Sequence, residues 1–276
     1  MGERARAGTE PGWRVIDAAV GSACRRLGGE LVSAYAIGSL AHGGFSANVS
    51  DVDLALLTSG RRTVRLVSLV RAIAADVRLE VHDELASRLS IFHAPWLRLA
   101  DPPPSSRFPA IDRQDLIRFG VLVHGEDLRD RYATAPSEHE IRVQAIDAAL
   151  GRLTAKSLAD QLSATPVTAR QASKLVLWPV RLQHVCETAV ASGNRDAVEH
   201  YVDTPDASHV TLVGEALRWR ERGSIDNLDD ARVMLADEVI DLHIEIFERL
   251  GSDRRLPRRI DLAHRAASLR ARTVGA

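Results

Sequence analysis

Apolar and polar positions divide the chain near residue 135 into a first part that mixes two periodicities and a second part that shows one. From Trp13 to Leu27 the apolar residues Val15, Ile16, Ala19, Val20, Ala23 and Leu27 recur at intervals of three and four, the spacing of one helix face, and Gly28-Gly29 ends the run. Ala34 to Ile37 is an unbroken apolar stretch that stops at Gly38-Ser39, which predicts a short buried strand and a tight turn. Beyond a polar loop containing Gly43-Gly44, the residues Val52, Leu54 and Leu56 alternate with Asp51, Asp53 and Ala55, the period of a second strand. Helical spacing returns from Val64 to Val77. It returns again behind Asp112, a candidate cap for a helix that starts near Arg113 and carries Leu116, Ile117, Gly120, Val121 and Val123. After Ser137 only helices are predicted: 138–153, 155–162, 169–191, 195–201, 209–222 and 229–250.

A third strand has two candidate positions. Leu89 to Phe92, within SRLSIFHAPW, carries Arg88, Ser90 and His93 and no acid; Arg78 to His82, within RLEVHDELAS, carries Glu80, with Asp83 and Glu84 close behind. The Pro-rich stretch DPPPSSRFPA at 101–110 suits neither helix nor central strand and reads as a connection. The fold expected is therefore α+β: an N-terminal mixed sheet with flanking helices, then an all-α bundle. The expected boundaries are a mobile leader at 1–12, a first domain at 13–133, the bundle at 134–250 and an Arg-rich C-terminal tail at 251–276.

Composition narrows the partners. The formal net charge of −1 provides no general attraction to nucleic acid or to an anionic membrane. Lys156 and Lys174 are the only lysines, so the basic side chains are almost all arginine. The tail contains DRRLPRR and HRAASLRAR but no aromatic residue on which a base could stack, so a last amphipathic helix is favoured there over an RNA-binding tail. Cys24 and Cys186 lie far apart in helical contexts and imply neither a disulfide framework nor a zinc site. No apolar run approaches the roughly 20 residues of a membrane span, and the first residues lack the apolar centre of a signal peptide, so a cytoplasmic location is expected.

One segment calls for a chemical reading: AYAIGSLAHGGFSANVSDVDLALL, residues 34–57. Residues two apart on a strand share a face, so Asp51 and Asp53 project side by side, about 6–7 Å apart along the strand. Two like charges at that spacing are unfavourable unless they share a cation, and Mg²⁺ prefers carboxylate oxygens together with the phosphate oxygens of a nucleotide. Gly38 allows backbone to approach a ligand closely, and Ser39 offers a hydroxyl and an amide to a phosphate.

These residues resemble the nucleotidyltransferase superfamily that includes polymerase beta, and in particular its aminoglycoside adenylyltransferase branch. The shared pattern is Gly38-Ser39, the glycine loop at Gly43-Gly44, and Ser50-Asp51-Val52-Asp53-Leu54 inside an apolar strand. A looser similarity covers Arg181-Leu182 and the stretch Arg195 to Tyr201, with Arg195 standing where that branch often has lysine. The resemblance implies a first domain with the nucleotidyltransferase fold, Gly38 and Ser39 on the triphosphate, and Asp51 and Asp53 on Mg²⁺, two ions being expected with bound nucleotide. It also implies phosphate contacts from Arg181 and Arg195, with Lys174 sharing the helix face of Arg181 and Trp178. The superfamily places a third carboxylate on the next strand. Here Glu80 would serve if 78–82 is that strand; if 89–92 is, only the imidazoles of His93 or His82 remain to accept a proton. Arg61-Arg62 are a further candidate phosphate contact.

The expected activity is transfer of a nucleoside monophosphate, AMP from ATP, to a hydroxyl of a small-molecule acceptor, possible acceptors including an aminoglycoside-like compound. For a cationic acceptor, Glu187, Asp196 and Glu199 would supply an acidic lining. The rivals are a toxin or regulator that nucleotidylates tRNA or protein, and a catalytically inactive nucleotide-binding module of the same fold.

Overall fold

The computed structural model describes residues 8–60, 63–102, 107–132, 134–152, 158 and 167–273. The helix expected at 155–162 and the Arg61-Arg62 pair lie essentially outside the described residues. The chain divides into two compact units, Met1–Pro136 and Ser137–Ala276.

In the first unit, helix α1 spans Glu10–Leu27, and the expected core positions Val15, Ile16, Ala19, Ala23 and Leu27 are all buried. Strand β1 follows at Leu31–Ile37, then a single helical turn at Ser39–His42, strand β2 at Val52–Thr58 and helix α2 at Thr63–Glu80. Strand β3 is Leu89–Pro95, helix α3 is Ala110–Phe119 and strand β4 is Val121–Gly125. The four strands form one sheet in the order β3-β2-β1-β4, with β1 antiparallel to both β2 and β4 and with β2 parallel to β3. The parallel pair is joined through α2, as a parallel pair requires a crossover.

Strand alternation sorts the core into two layers. Ala34, Ala36, Val52, Leu54, Leu56 and Ile91 pack with α1 and α2 on one face. Tyr35, Ile37, Ala55, Leu57, Phe92 and Ala94 pack on the other face with Leu116 of α3 and with Phe108. Beyond their first residues both β2 and β3 are buried on both sides.

Two sequence expectations are corrected here. Residues 78–82 are not a strand: 78–80 complete α2, whose apolar positions keep helical spacing to Val77, and Val81 and His82 follow it outside regular structure. The helix expected near Arg113 begins earlier, at Ala110 behind Pro109, so Asp112 sits in its first turn and is not its cap. That helix stops at Phe119; Gly120 breaks it, and Val121, Leu122 and Val123 enter the ladder of β1.

In the second unit α4 (Glu138–Arg152), α5 (Ala169–Thr188), α6 (Asn194–Val202), α7 (Val210–Arg222), α8 (Leu228–Ser252) and α9 (Arg259–Thr273) form a bundle around α5. Helix α5 opens with a reciprocal cap between Thr168 and Gln171 and is buried over most of its surface. The Arg-rich C-terminal stretch is helix α9, which packs on α8 through buried Leu262, Ala266 and Leu269. His243 of α8 is fully buried and its Nε2 lies 2.9 Å from the Leu175 carbonyl. Burial pushes its imidazole down to about 4, so the ring is neutral and donates from Nε2.

A base with a depressed folded value stabilises the protein above its unfolded value, near 6.5, and loses that contribution as pH falls toward about 4. His243→Gln, which keeps a donor and removes the proton-binding site, should therefore be less sensitive to acid than the parent chain. The expected divergence is about 1.4 kcal/mol per pH unit between pH 6.5 and 4.5 in denaturant unfolding. Parallel pH curves for the two proteins would contradict this assignment.

Candidate active site

Chain direction and sheet parity place the candidate residues before any contact is considered. Asp53, the second residue of β2, pairs with Ile37, the last residue of β1, so the β1 turn and the aspartate strand meet at one end of the sheet. Asp53 shares its face with Ala55 and Leu57, the side covered by α3. Asp51 immediately precedes β2 and has the same parity, and both carboxylates are partly buried.

Gly38 lies between these groups. Its φ of 68° is in the region that favours glycine, and an added Cβ would stand 2.5 Å from Asp53 Oδ2. On its other side the Gly38 amide donates to Asp115 Oδ2 at 2.5 Å. Adding standard bond lengths to these two contacts puts the Asp53 and Asp115 oxygens no more than about 8 Å apart across the turn. Asp115 belongs to α3, is largely buried, and has His42 Nε2 at 3.9 Å from its other oxygen. His42 ends the helical turn that Ser39 begins, and its ring meets Phe119 edge-on at 5.7 Å. At the opening of that turn, Ser39 and Leu40 present amide groups that a helix start leaves without an internal partner.

The loop between the turn and the aspartates is also fixed. Ser46 and Ser50 are linked twice, the Ser46 amide donating to Ser50 Oγ at 2.9 Å and the Ser50 amide to the Ser46 carbonyl at 2.7 Å. The Arg88 guanidinium, nearly buried, donates to the Ala47 carbonyl at 2.9 Å and pairs with Glu84 at 3.1 Å. The Val52 amide reaches the Arg88 carbonyl, so the residue that precedes β3 holds the approach to β2.

Two predicted residues lie elsewhere. Glu80 is the last residue of α2, is 55% exposed, and faces Arg25 of α1 at 3.7 Å; a helix end on the outer layer does not bring it to the strand ends. His93 is on β3, but Ser90 is the partner of Asp53 in the parallel register and His93 is three residues further on. An odd offset turns its side chain to the α2 face, opposite Asp53. Ser90 therefore occupies the β3 position nearest Asp53, with no acid there.

Lys174, Arg181 and Arg195 all belong to the second unit. Lys174 and Arg181 are exposed on α5, with Trp178 half-buried between them. Arg195 is exposed at the start of α6 and is ion-paired to Glu221 of α7. On the same unit His200 meets Glu187 at 2.6 Å, and His184 lies edge-on to His200, its proton affinity lowered chiefly by burial and then by His200.

The donor chemistry of the first unit suits a hard divalent cation: Asp51, Asp53 and Asp115 offer carboxylate oxygens on one face of the sheet. Among the described residues no three His, Cys, Asp or Glu side chains are already gathered around one point. Such a donor set leaves coordination positions for phosphate oxygens and water, which is how Mg²⁺ is usually held beside nucleotides. Among the described residues no helix is long and apolar enough to cross a membrane.

No protein-family model matches the chain, and no curated protein sequence does. The structure is similar to the crystal structure of spectinomycin adenyltransferase AAD(9) from Enterococcus faecialis with ATP and spectinomycin, with a TM-score of 0.59 and 13% sequence identity over 83% of this chain and 98% of that one. The chain thus has the α+β fold of that adenyltransferase, a four-stranded mixed sheet with helices followed by a helical unit.

Proposed function

We propose that the chain is a Mg²⁺-dependent nucleotidyltransferase that moves AMP from ATP to a hydroxyl of a small-molecule acceptor. The observation that carries this reading is the placement of Asp53 and Asp115 on either side of Gly38, with Asp51 on the same face. The shared fold with an enzyme crystallised with ATP and spectinomycin supports it.

In this reading Asp51 and Asp53 hold the metal, which when bound neutralises the triphosphate and polarises the α-phosphate. The Ser39 hydroxyl and the amides that open its turn hold phosphate oxygens, and the glycine at 38 lets them approach. Asp115 fixes the orientation of the turn through the Gly38 amide. His42, on the turn and beside Asp115, takes the acceptor's proton, a role that Glu80 and His93 are placed too remotely to fill. The acceptor oxygen forms a bond to the α-phosphorus as the bond to the bridging oxygen breaks and pyrophosphate leaves.

A second reading is kept because of Ser90. An acid on β3 would be the neighbour of Asp53, and serine cannot replace it as metal ligand or base. A module that binds Mg²⁺-nucleotide without transferring it would have this arrangement.

Incubation with labelled ATP, Mg²⁺ and a panel of aminoglycosides, tRNA and proteins distinguishes the readings. Transfer to a small molecule that falls at least about 100-fold in Asp51→Asn or Asp53→Asn is expected. Mg²⁺-dependent ATP binding with no transfer would favour the binding module, and transfer indifferent to both substitutions would sink the metal assignment. Gly38→Ala should lose nucleotide affinity more than tenfold while keeping the native circular dichroism spectrum, because its methyl group would enter the space of Asp53 Oδ2. Its unfolding free energy should fall by about 1–3 kcal/mol for the strained backbone.

A further inference from the structure

The face of the sheet opposite the aspartates carries a concavity. A cavity of about 280 Å³ lies between α2 and the edge strand β3, lined by Val67, Val70, Arg71, Ile91, His93 and Arg107. Its polar groups are all basic. Among the described residues neither Arg71 nor Arg107 has a carboxylate partner, unlike Arg25, Arg98, Arg195 and Arg222. Arg107 is held in place: its backbone forms a two-bond bridge with His93, at 3.1 and 3.2 Å, and its guanidinium lies 5.3 Å from the centre of the Phe92 ring.

His93 supplies an independent observation. It is 4% exposed, and its Nδ1 is buried with no hydrogen-bond partner among the described residues. Buried polar atoms are nearly always satisfied, so the unpartnered Nδ1 marks strain in the wall that His93 contributes to the cavity. Burial and the Arg107 charge both push the imidazole down, which keeps the ring neutral and able to donate one hydrogen bond. Two arginines over the apolar floor of Val67, Val70 and Ile91 match an oxyanion attached to a short apolar group.

We propose that this cavity is a binding site for a small molecule carrying a phosphate or carboxylate on a compact apolar group, separate from the nucleotide site. Arg71 and Arg107 clamp the oxyanion, with the His93 ring in the wall beside them. The site lies on β3, the strand whose opposite face bears Ser90 beside Asp53, so an occupant would touch the same strand that borders the candidate active site.

The test uses the full chain with histidine side chains labelled with ¹⁵N. Inorganic phosphate, phenyl phosphate and butyrate are titrated separately while the His93 ring-nitrogen resonance is followed, and Asp51→Asn/Asp53→Asn serves as a background in which binding at the aspartates is removed. Saturable shifts of the His93 signal are expected, unchanged in that background, with tighter binding of the two probes that carry an apolar group than of phosphate alone. Preference for phenyl phosphate or for butyrate then identifies the oxyanion. Arg71→Gln and Arg107→Gln should each weaken binding at least tenfold, whereas Arg98→Gln, outside the cavity, should not. Absence of a saturable His93 shift with every probe, or equal affinity in the folded Arg71→Gln/Arg107→Gln protein, would overturn the proposal.

Discussion

The candidate site depends on one steric fact: residue 38 has no side chain. The carboxylate of Asp53 stands 2.5 Å from the point where a Cβ would be, and the amide of the same residue is held by Asp115. A left-handed backbone at this position lets β1 end, a helical turn begin and two carboxylates flank the turn within one short span of chain. Remove the glycine and the turn must move away from the strand that bears the aspartates.

What makes the spot chemically useful is sheet parity. The apolar residues of β2 cover both faces, and Asp53 and Asp51 replace apolar residues only at the end of the strand, on the α3 face. There they meet α3 and the β1 turn, while the α1 and α2 face stays apolar around Leu54 and Leu56. The same parity turns Ser90 toward Asp53 and His93 away from it. Acidic side chains thus gather at the strand ends, while the cavity at the edge of β3 is lined by Arg71, His93 and Arg107.

Legibility in sequence followed the range of the interactions involved. The strand, turn and strand around Gly38, Asp51 and Asp53 could be read because their elements are adjacent in the chain and each has its own period. The described helices of the second unit could be read for the same reason. Glu80 was misplaced because RLEVH is too short to separate strand from helix by period, and α2 simply continues through it. The position of His93 could not be read because it depends on the register between β2 and β3, which no residue of β3 alone specifies. Asp115 went unnoticed because what distinguishes it is contact with residues far away in the chain, Gly38 at 77 positions and His42. Strand β4 was absorbed into the preceding helix because its apolar residues continue the helical spacing by coincidence, and pairing with β1 decides the matter.

The central claim is that Asp51, Asp53 and the Gly38-Ser39 turn together form a metal-nucleotide site. The most direct measurement is a crystal structure of the full chain with Mn²⁺ and a non-hydrolysable ATP analogue, with the metal located by its anomalous scattering. The account predicts metal ligated by Asp51 and Asp53 and by phosphate oxygens, with the triphosphate lying over Gly38 and Ser39. Nucleotide bound away from that turn, or metal without either aspartate as ligand, would contradict it.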